Sequence, residues 1–144
     1  MRVFLDSNVI LSGIISDKGA PRIILDVLSV RLPLITGLTG EYNIIEIERN
    51  LRKKLRSAIP IYEKYLPEIN LEIIKLPSVG EIKRYLGHIA DKDVPVLVSA
   101  INGKSDYLVT GDIKDFEKLK TSADYPFKII SPSEFISGII NKIL

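Results

Sequence analysis

The sequence has no cysteine and a single histidine, His88. Disulfides, thiolate zinc sites and cysteine nucleophiles are therefore excluded, and so is any centre built from two imidazoles. A Ser-His-Asp triad has only His88 to draw on. No apolar run reaches the ~18 residues of a membrane span. An acid at position 6 falls too early for the apolar region of a signal peptide, so a cytoplasmic protein is expected. The phosphate-binding patterns GxxxxGK followed by Ser or Thr, and GxGxxG, are missing. Internal repeats, low-complexity tracts and linkers are missing too. Charge of one sign does not dominate: 20 basic residues against 18 acidic leave +2, which by itself announces no nucleic-acid partner.

What remains is an ordinary globular composition. The chain has 144 residues, 46% hydrophobic and 26% charged, enough for one domain over 1–144 with a buried core and too apolar for a disordered chain.

Strands and helices alternate along it. Val3, Phe4 and Leu5 form a short apolar run ending at Asp6 and read as a buried strand. Ser7 is placed to cap a helix carrying Val9, Ile10, Ile14 and Ile15. Pro21 suits the first turn of a second helix striped by Ile23, Ile24, Val27 and Leu28. Leu34 and Ile35 read as a second strand, residues ~40–56 as a long helix, Pro60 as the start of another, and Leu71 to Leu76 as a strand. A helix follows around Ile82 to Leu86. Asp93 heads a further helix that Asn102-Gly103 ends. Tyr107 to Val109 and Phe127 to Ile130 are the last strands, and Ser131 with Glu134 matches a capping box. This alternation predicts a three-layer α/β sandwich, a central parallel sheet flanked by helices. Such sheets bind ligands beyond the carboxyl ends of their strands.

The acids fall at those ends. Asp6 follows the first strand directly, Asp112 follows the Tyr107–Val109 strand by two residues, and Asp93 heads the helix leading into that strand. Glu46 on the long helix is a candidate fourth. Like charges a few ångströms apart oppose joint ionisation. A divalent ion reverses that penalty, and Mg²⁺ and Mn²⁺ prefer oxygen ligands. Such an ion acidifies water and offsets charge on a phosphoryl oxygen, so the pattern points to metal-dependent phosphodiester hydrolysis. Read singly, each acid also has a structural role to fill: Asp6 and Asp93 as helix caps, Asp112 as a turn residue, Glu46 as a solvated helix residue.

Four segments resemble the PIN domain family, and within it the toxin-like branch related to VapC. Val3-Phe4-Leu5-Asp6-Ser7-Asn8-Val9 is similar to that family's apolar strand followed by Asp, Ser or Thr, and Asn. Asp93, Leu97 and Ala100 follow its DxxxLxxA helix. Asp106-Tyr107-Leu108-Val109-Thr110-Gly111-Asp112 is similar to its DYLVTGD turn, and Ile129 to Phe135 to its closing strand and helix. The resemblance implies a metal-dependent ribonuclease, with RNA as substrate, that takes Mg²⁺ or Mn²⁺. It implies that Asp6, Asp93 and Asp112 hold the metal, with Asp115 as a further acid, Glu46 as the helical acid, Asn8 bracing the first aspartate, and Thr110 supporting. Asn50 stands where the family's glutamate pattern has an apolar residue. It also implies an antitoxin protein and a homodimer, for which the apolar side of the Pro60–Leu66 helix is a candidate face.

Two assignments stay open at this level. Glu48 lies near the apolar face set by Ile44, Ile47, Leu51 and Leu55, while Glu46 shares a polar row with Asn43 and Asn50; Glu48 and Glu41 are alternatives to Glu46. Asp91 competes with Asp93.

Arg49, Arg52, Lys53, Lys54 and Arg56 put five cations within eight residues, just after the candidate glutamate. Such a run can neutralise RNA phosphates, or it is a solvated helix end favoured by the dipole. Tyr42, Tyr62 and Tyr65 are read as packing residues that could also stack on bases. His88 is read as structural, a proton shuttle being the alternative. Two other classes compete: an RNA-binding module that keeps this fold without turnover, and a phosphoacceptor receiver of the doubly wound type.

Overall fold

A computed structural model describes residues 1–120 and 125–143. In chain order the elements that frame the sheet are β1 (Arg2–Leu5), α1 (Ser7–Ile15), α2 (Ala20–Ser29), β2 (Thr36–Gly40), α3 (Glu41–Lys54), α4 (Ile59–Ile69) and β3 (Glu72–Ile74). They are followed by α5 (Val79–Tyr85), α6 (Val94–Asn102), β4 (Tyr107–Val109), α7 (Glu117–Lys120), β5 (Lys128–Ile130) and α8 (Pro132–Phe135). All four pairings are parallel and the strand order is β3-β2-β1-β4-β5. The chain builds outward from β1 on one side, then returns to build outward on the other. That reversal puts a crevice at the carboxyl ends of β1 and β4.

The inner strands β1 and β4 are buried on both faces, as their short apolar runs require. Alternate residues of β1 divide between two cores. Val3 and Leu5 join Ile10, Ile14, Leu25, Ile47 and Leu51 on one side. Phe4 joins Leu38, Val94, Leu97, Leu108 and Ile129 on the other. The result is the expected three-layer α/β arrangement. Among the described residues no helix is long and apolar enough to cross a membrane.

Two local expectations are corrected. The second strand is not Leu34-Ile35 but Thr36–Gly40. Leu34 is 64% exposed, and the backbone N–H of Ile35 donates to the Leu32 carbonyl in a turn. The strand proper reads TGLTG, with one large apolar side chain, because Gly37 lies against Leu28 and Leu71 where a Cβ would stand 2.7 Å from a Leu28 methyl. The helix after β1 is capped by Asp6 rather than Ser7: Asp6 has extended backbone and its carboxylate accepts from the Ser7 N–H.

The Pro60–Leu66 face considered for a dimer is packed on the chain's own core. Tyr62 is buried there, Ile59, Tyr65 and Leu66 are partly buried, and only Ile61 among its large apolar side chains is exposed. The Ser131–Glu134 capping box is present in both directions.

Candidate active site

The tip of β1 and the turn after β4 are tied together by hydrogen bonds. The Asp6 N–H donates to the Val109 carbonyl at 3.0 Å. The Thr110 hydroxyl, wholly buried, donates to Asp6 Oδ2 at 2.8 Å and accepts from the Asp112 N–H at 3.0 Å. Asn8, on the first turn of α1, donates to Asp112 Oδ2 at 2.9 Å and accepts from the Gly111 N–H at 2.9 Å. Asn8 thus holds the Thr110-Gly111-Asp112 turn and not Asp6, correcting the bracing role expected of it. The first aspartate is braced by Thr110, Ser7 and Asn43.

Helix α3 contributes from the other side. Asn43 is wholly buried and donates to Ser7 Oγ at 2.8 Å and to Asp6 Oδ1 at 3.3 Å, while its Oδ1 accepts from the Gly40 N–H at 3.2 Å. Because Ser7 Oγ accepts from Asn43, its proton goes to Glu46 Oε1, at 2.6 Å. Glu48 points elsewhere and accepts from the Tyr62 hydroxyl. Glu41 accepts from the Leu76 N–H. Of the three glutamates, Glu46 alone is held beside Asp6. The buried positions of α3 are Asn43, Ile47 and Leu51, so the stripe facing inward begins with a polar residue. Leu55, counted on the apolar face by periodicity, is 41% exposed. Asn43 and Ser7 are the functional candidates that sequence reasoning passed over. The signal for Asn43 is the polar row it shares with Glu46; Ser7 carries none beyond its place after Asp6.

Asp93 does not act as a helix cap. The chain enters α6 through a 3-10 turn over Asp91–Asp93, and the Asp93 side chain accepts no capping bond. Its Oδ2 is buried without a hydrogen-bond partner among the described residues. Asp91 is exposed.

Asp6, Glu46, Asp93, Asp112 and Asp115 line one open cleft of about 240 Å³, together with Asn8 and Asn50. Among the described residues Lys92 is the one cation on its wall, and it stands 3.5 Å from Asp115. Five carboxylates against one ammonium make an electrostatically unfavourable cavity. Burial pushes the Asp6 carboxyl up to about 6, with Glu46 and Asp112 adding repulsion against the lowering effect of the Thr110 and Ser7 bonds. Burial also raises Asp93, with Asp115 next in size. Tyr42 is raised by burial and then by Glu46, which places its hydroxyl within the field of the same cleft.

Among the described residues no three acidic side chains already converge as a ligand set for an ion. The residues nonetheless suit a hard cation. All the cleft's anionic donors are oxygen, the Asp93 oxygen is unsatisfied, and Mg²⁺ is commonly held by one or two carboxylates with the balance supplied by water.

The remaining candidates lie off this wall. Arg49, Arg52, Lys53, Lys54 and Arg56 are all exposed. His88 pairs with the Tyr125 hydroxyl at 2.8 Å and packs edge-on against Tyr85. Tyr65 donates to Asp26 beneath the Arg22 guanidinium.

No curated protein matches the chain. Several solved structures share its fold, two of which follow. A chain of VapBC2 from Rickettsia felis, bound to a DNA fragment from their promoter, superposes with a TM-score of 0.66 at 20% identity, covering 91% of this chain and 98% of that one. A chain of VapBC-1 from nontypeable Haemophilus influenzae superposes at 0.61 and 16% identity, covering 92% and 99%. The PIN domain profile matches residues 2–114, from the first strand through the Asp112 turn and most of the way across the fold. The chain belongs to the PIN domain family.

Proposed function

We propose that this PIN domain is a metal-dependent endoribonuclease that hydrolyses RNA phosphodiester bonds, acting as the toxin of a toxin–antitoxin pair. The observation that carries the reading is the single cleft lined by five carboxylates, with an unsatisfied buried oxygen on Asp93. Asp6, Asp93 and Asp112, with Asp115 alongside, are the residues that would hold Mg²⁺ or Mn²⁺. A bound divalent ion supplies acidified water and offsets charge on a phosphoryl oxygen.

The chain's own residues do the positioning. Thr110 and Asn43 fix both oxygens of Asp6. Asn8 fixes Asp112. The Ser7 hydroxyl fixes Glu46 as a proton acceptor facing the cleft. The cationic end of α3 raises the local concentration of a polyanion beside this acidic centre. An antitoxin partner belongs to the reading through the VapBC complexes that share the fold, and a homodimer through the family resemblance alone.

The test is cleavage of end-labelled single-stranded RNA with Mg²⁺, with Mn²⁺ and with chelator. The parent cleaves only with the ion. Asp6→Asn and Asp112→Asn fall to background while keeping the parent's circular dichroism. Equal cleavage by variants and parent overturns the assignment. A second reading, an RNA-binding module without turnover, has in its favour that among the described residues no three carboxylates stand converged. It predicts binding of the RNA with a steep salt dependence and no cleavage under any ion.

A further inference from the structure

We infer that only one side of the cationic helix α3 carries RNA: the strand leaves the cleft along Asn50 to Lys53 and Lys54, while Arg52 and Arg56 take no part. The inference rests on the ribonuclease reading and narrows it to a substrate track.

The helix itself makes the division. At ~100° per residue, Asn50 lies about 40° round the axis from Glu46, Lys54 about 80° in the same sense and Lys53 about 20° in the other, so all three continue the side of the helix that carries Glu46. Asn50 is itself part of that wall. Arg52 lies about 120° from Glu46. It lines a separate cavity of about 240 Å³ with Glu48, Leu51, Tyr62 and Glu63, on the side of the helix facing α4. Arg56, beyond the end of α3, folds back and donates from Nε to the Arg52 carbonyl at 2.9 Å. Arg49 stands close enough to Tyr42 for its charge to offset that of Glu46 there.

Lys53 and Lys54 are exposed, and neither pairs with a carboxylate among the described residues. Their charge is available to phosphate. Seven residues from Glu46 to Lys53 span about 10 Å, close to three nucleotides at the ~3.4 Å rise of a stacked strand. The track therefore touches backbone a few nucleotides from the bond at the acidic centre. It runs on phosphate charge with Asn50 as the one neutral polar contact at its start, so it positions the strand and reads little sequence.

Two double variants with identical loss of charge separate place from net charge: Lys53→Gln with Lys54→Gln, and Arg52→Gln with Arg56→Gln. Initial cleavage rates are measured on a labelled single-stranded RNA with Mn²⁺ over a range of salt. The lysine pair raises KM several-fold, with the loss falling on KM rather than kcat, and lowers the slope of log(kcat/KM) against log salt by about 1.4, two contacts at ~0.7 each. The arginine pair stays within about twofold of the parent, a difference that charge steering alone would not produce. Trimming the RNA by about three nucleotides at one end, the reach of the track, erases the lysine effect. Equal losses in both variants, or a larger loss in the arginine pair, overturn the inference while the ribonuclease reading stands. If the parent fails to cleave, that reading falls. The same ordering in fluorescence anisotropy of the uncut RNA then supports the track, and equal Kd values for the two variants overturn it.

Discussion

Asp6 performs two jobs with one carboxylate. It caps α1 through the Ser7 N–H and contributes an anionic oxygen to the cleft. Capping a helix and lining the cleft, competing explanations of the residue in the sequence, are compatible in one geometry. The combination has a thermodynamic signature. Between the ordinary 3.8 and about 6, the folded chain holds a proton that the unfolded chain has released, so stability falls as pH rises and the penalty is complete above about 6. Taking the carboxyl from 3.8 to about 6 corresponds to about 3 kcal/mol. Asp93, raised in the same direction, adds to it. Metal-free protein should therefore melt at a lower temperature at pH 7.5 than at pH 5. Asp6→Asn should remove most of that difference, and Mn²⁺ should restore more stability at pH 7.5 than at pH 5. Differential scanning calorimetry in chelator and in Mn²⁺ measures all three; a parent with a flat or rising profile over this window contradicts the assignment of the buried charge.

Asn43 belongs to the same scale. Its amide satisfies the Gly40 N–H, the Ser7 hydroxyl and one oxygen of Asp6 at once. Asn43→Leu is nearly the same size; it leaves the Gly40 N–H unpaired and takes one bond each from Ser7 Oγ and Asp6 Oδ1, which keep Glu46 and the Ser7 N–H, for a cost of about 1–3 kcal/mol in urea unfolding. Cleavage should fall further than the loss of folded protein explains, because Glu46 loses the directed Ser7 hydroxyl. Unchanged kcat in a folded Asn43→Leu protein would show that this chain of bonds does not position the site.

At the scale of elements, the parts of the fold with regular patterning were readable in advance. The strand over Tyr107–Val109 matches to the residue, as do the end of α6 at Asn102 and the capping box at Ser131. Apolar runs bounded by turn residues leave little freedom there. Strand β2 was misplaced because its identity comes from close packing and not from apolar content. Gly37 and Gly40 admit neighbours against the backbone, and the Thr39 hydroxyl donates to the Leu5 carbonyl in place of an apolar contact. Helix α3 was misoriented for a related reason. A buried asparagine breaks the apolar stripe, and its burial is tolerated only because tertiary partners from the β1–α1 and β2–α3 junctions satisfy it, which periodicity along one helix cannot show.

The junction itself gives a prediction. A Cβ on Gly40 would meet Asn43 Oδ1 at 2.8 Å and Ser99 Oγ at 2.9 Å. Gly40→Ala should thus destabilise by about 1–3 kcal/mol, the range for overpacking, and lower cleavage by displacing Asn43. A Gly40→Ala protein with parental urea midpoint and rate would mean that the start of α3 can shift without moving the site.

Across the whole molecule, the parallel sheet converts distance in sequence into proximity. Asp6 and Asp112 are separated by more than a hundred residues, yet adjacent strands and the Thr110 hydroxyl join them. The strand order reverses between β1 and β4, and α3 and α6 deliver Glu46 and Asp93 to the same crevice. The architecture concentrates negative charge where helices leave a gap. Two cores on opposite faces of the sheet hold that arrangement in place. The account depends on this charge being balanced by a divalent ion. The most direct measurement is a crystal structure of the parent soaked in Mn²⁺, with anomalous diffraction collected at the manganese edge. The account predicts an anomalous peak in the cleft, with oxygen ligands from Asp6, Asp93 or Asp112. Crystals that take up manganese elsewhere, or leave that cleft without a peak at saturating Mn²⁺, would contradict it.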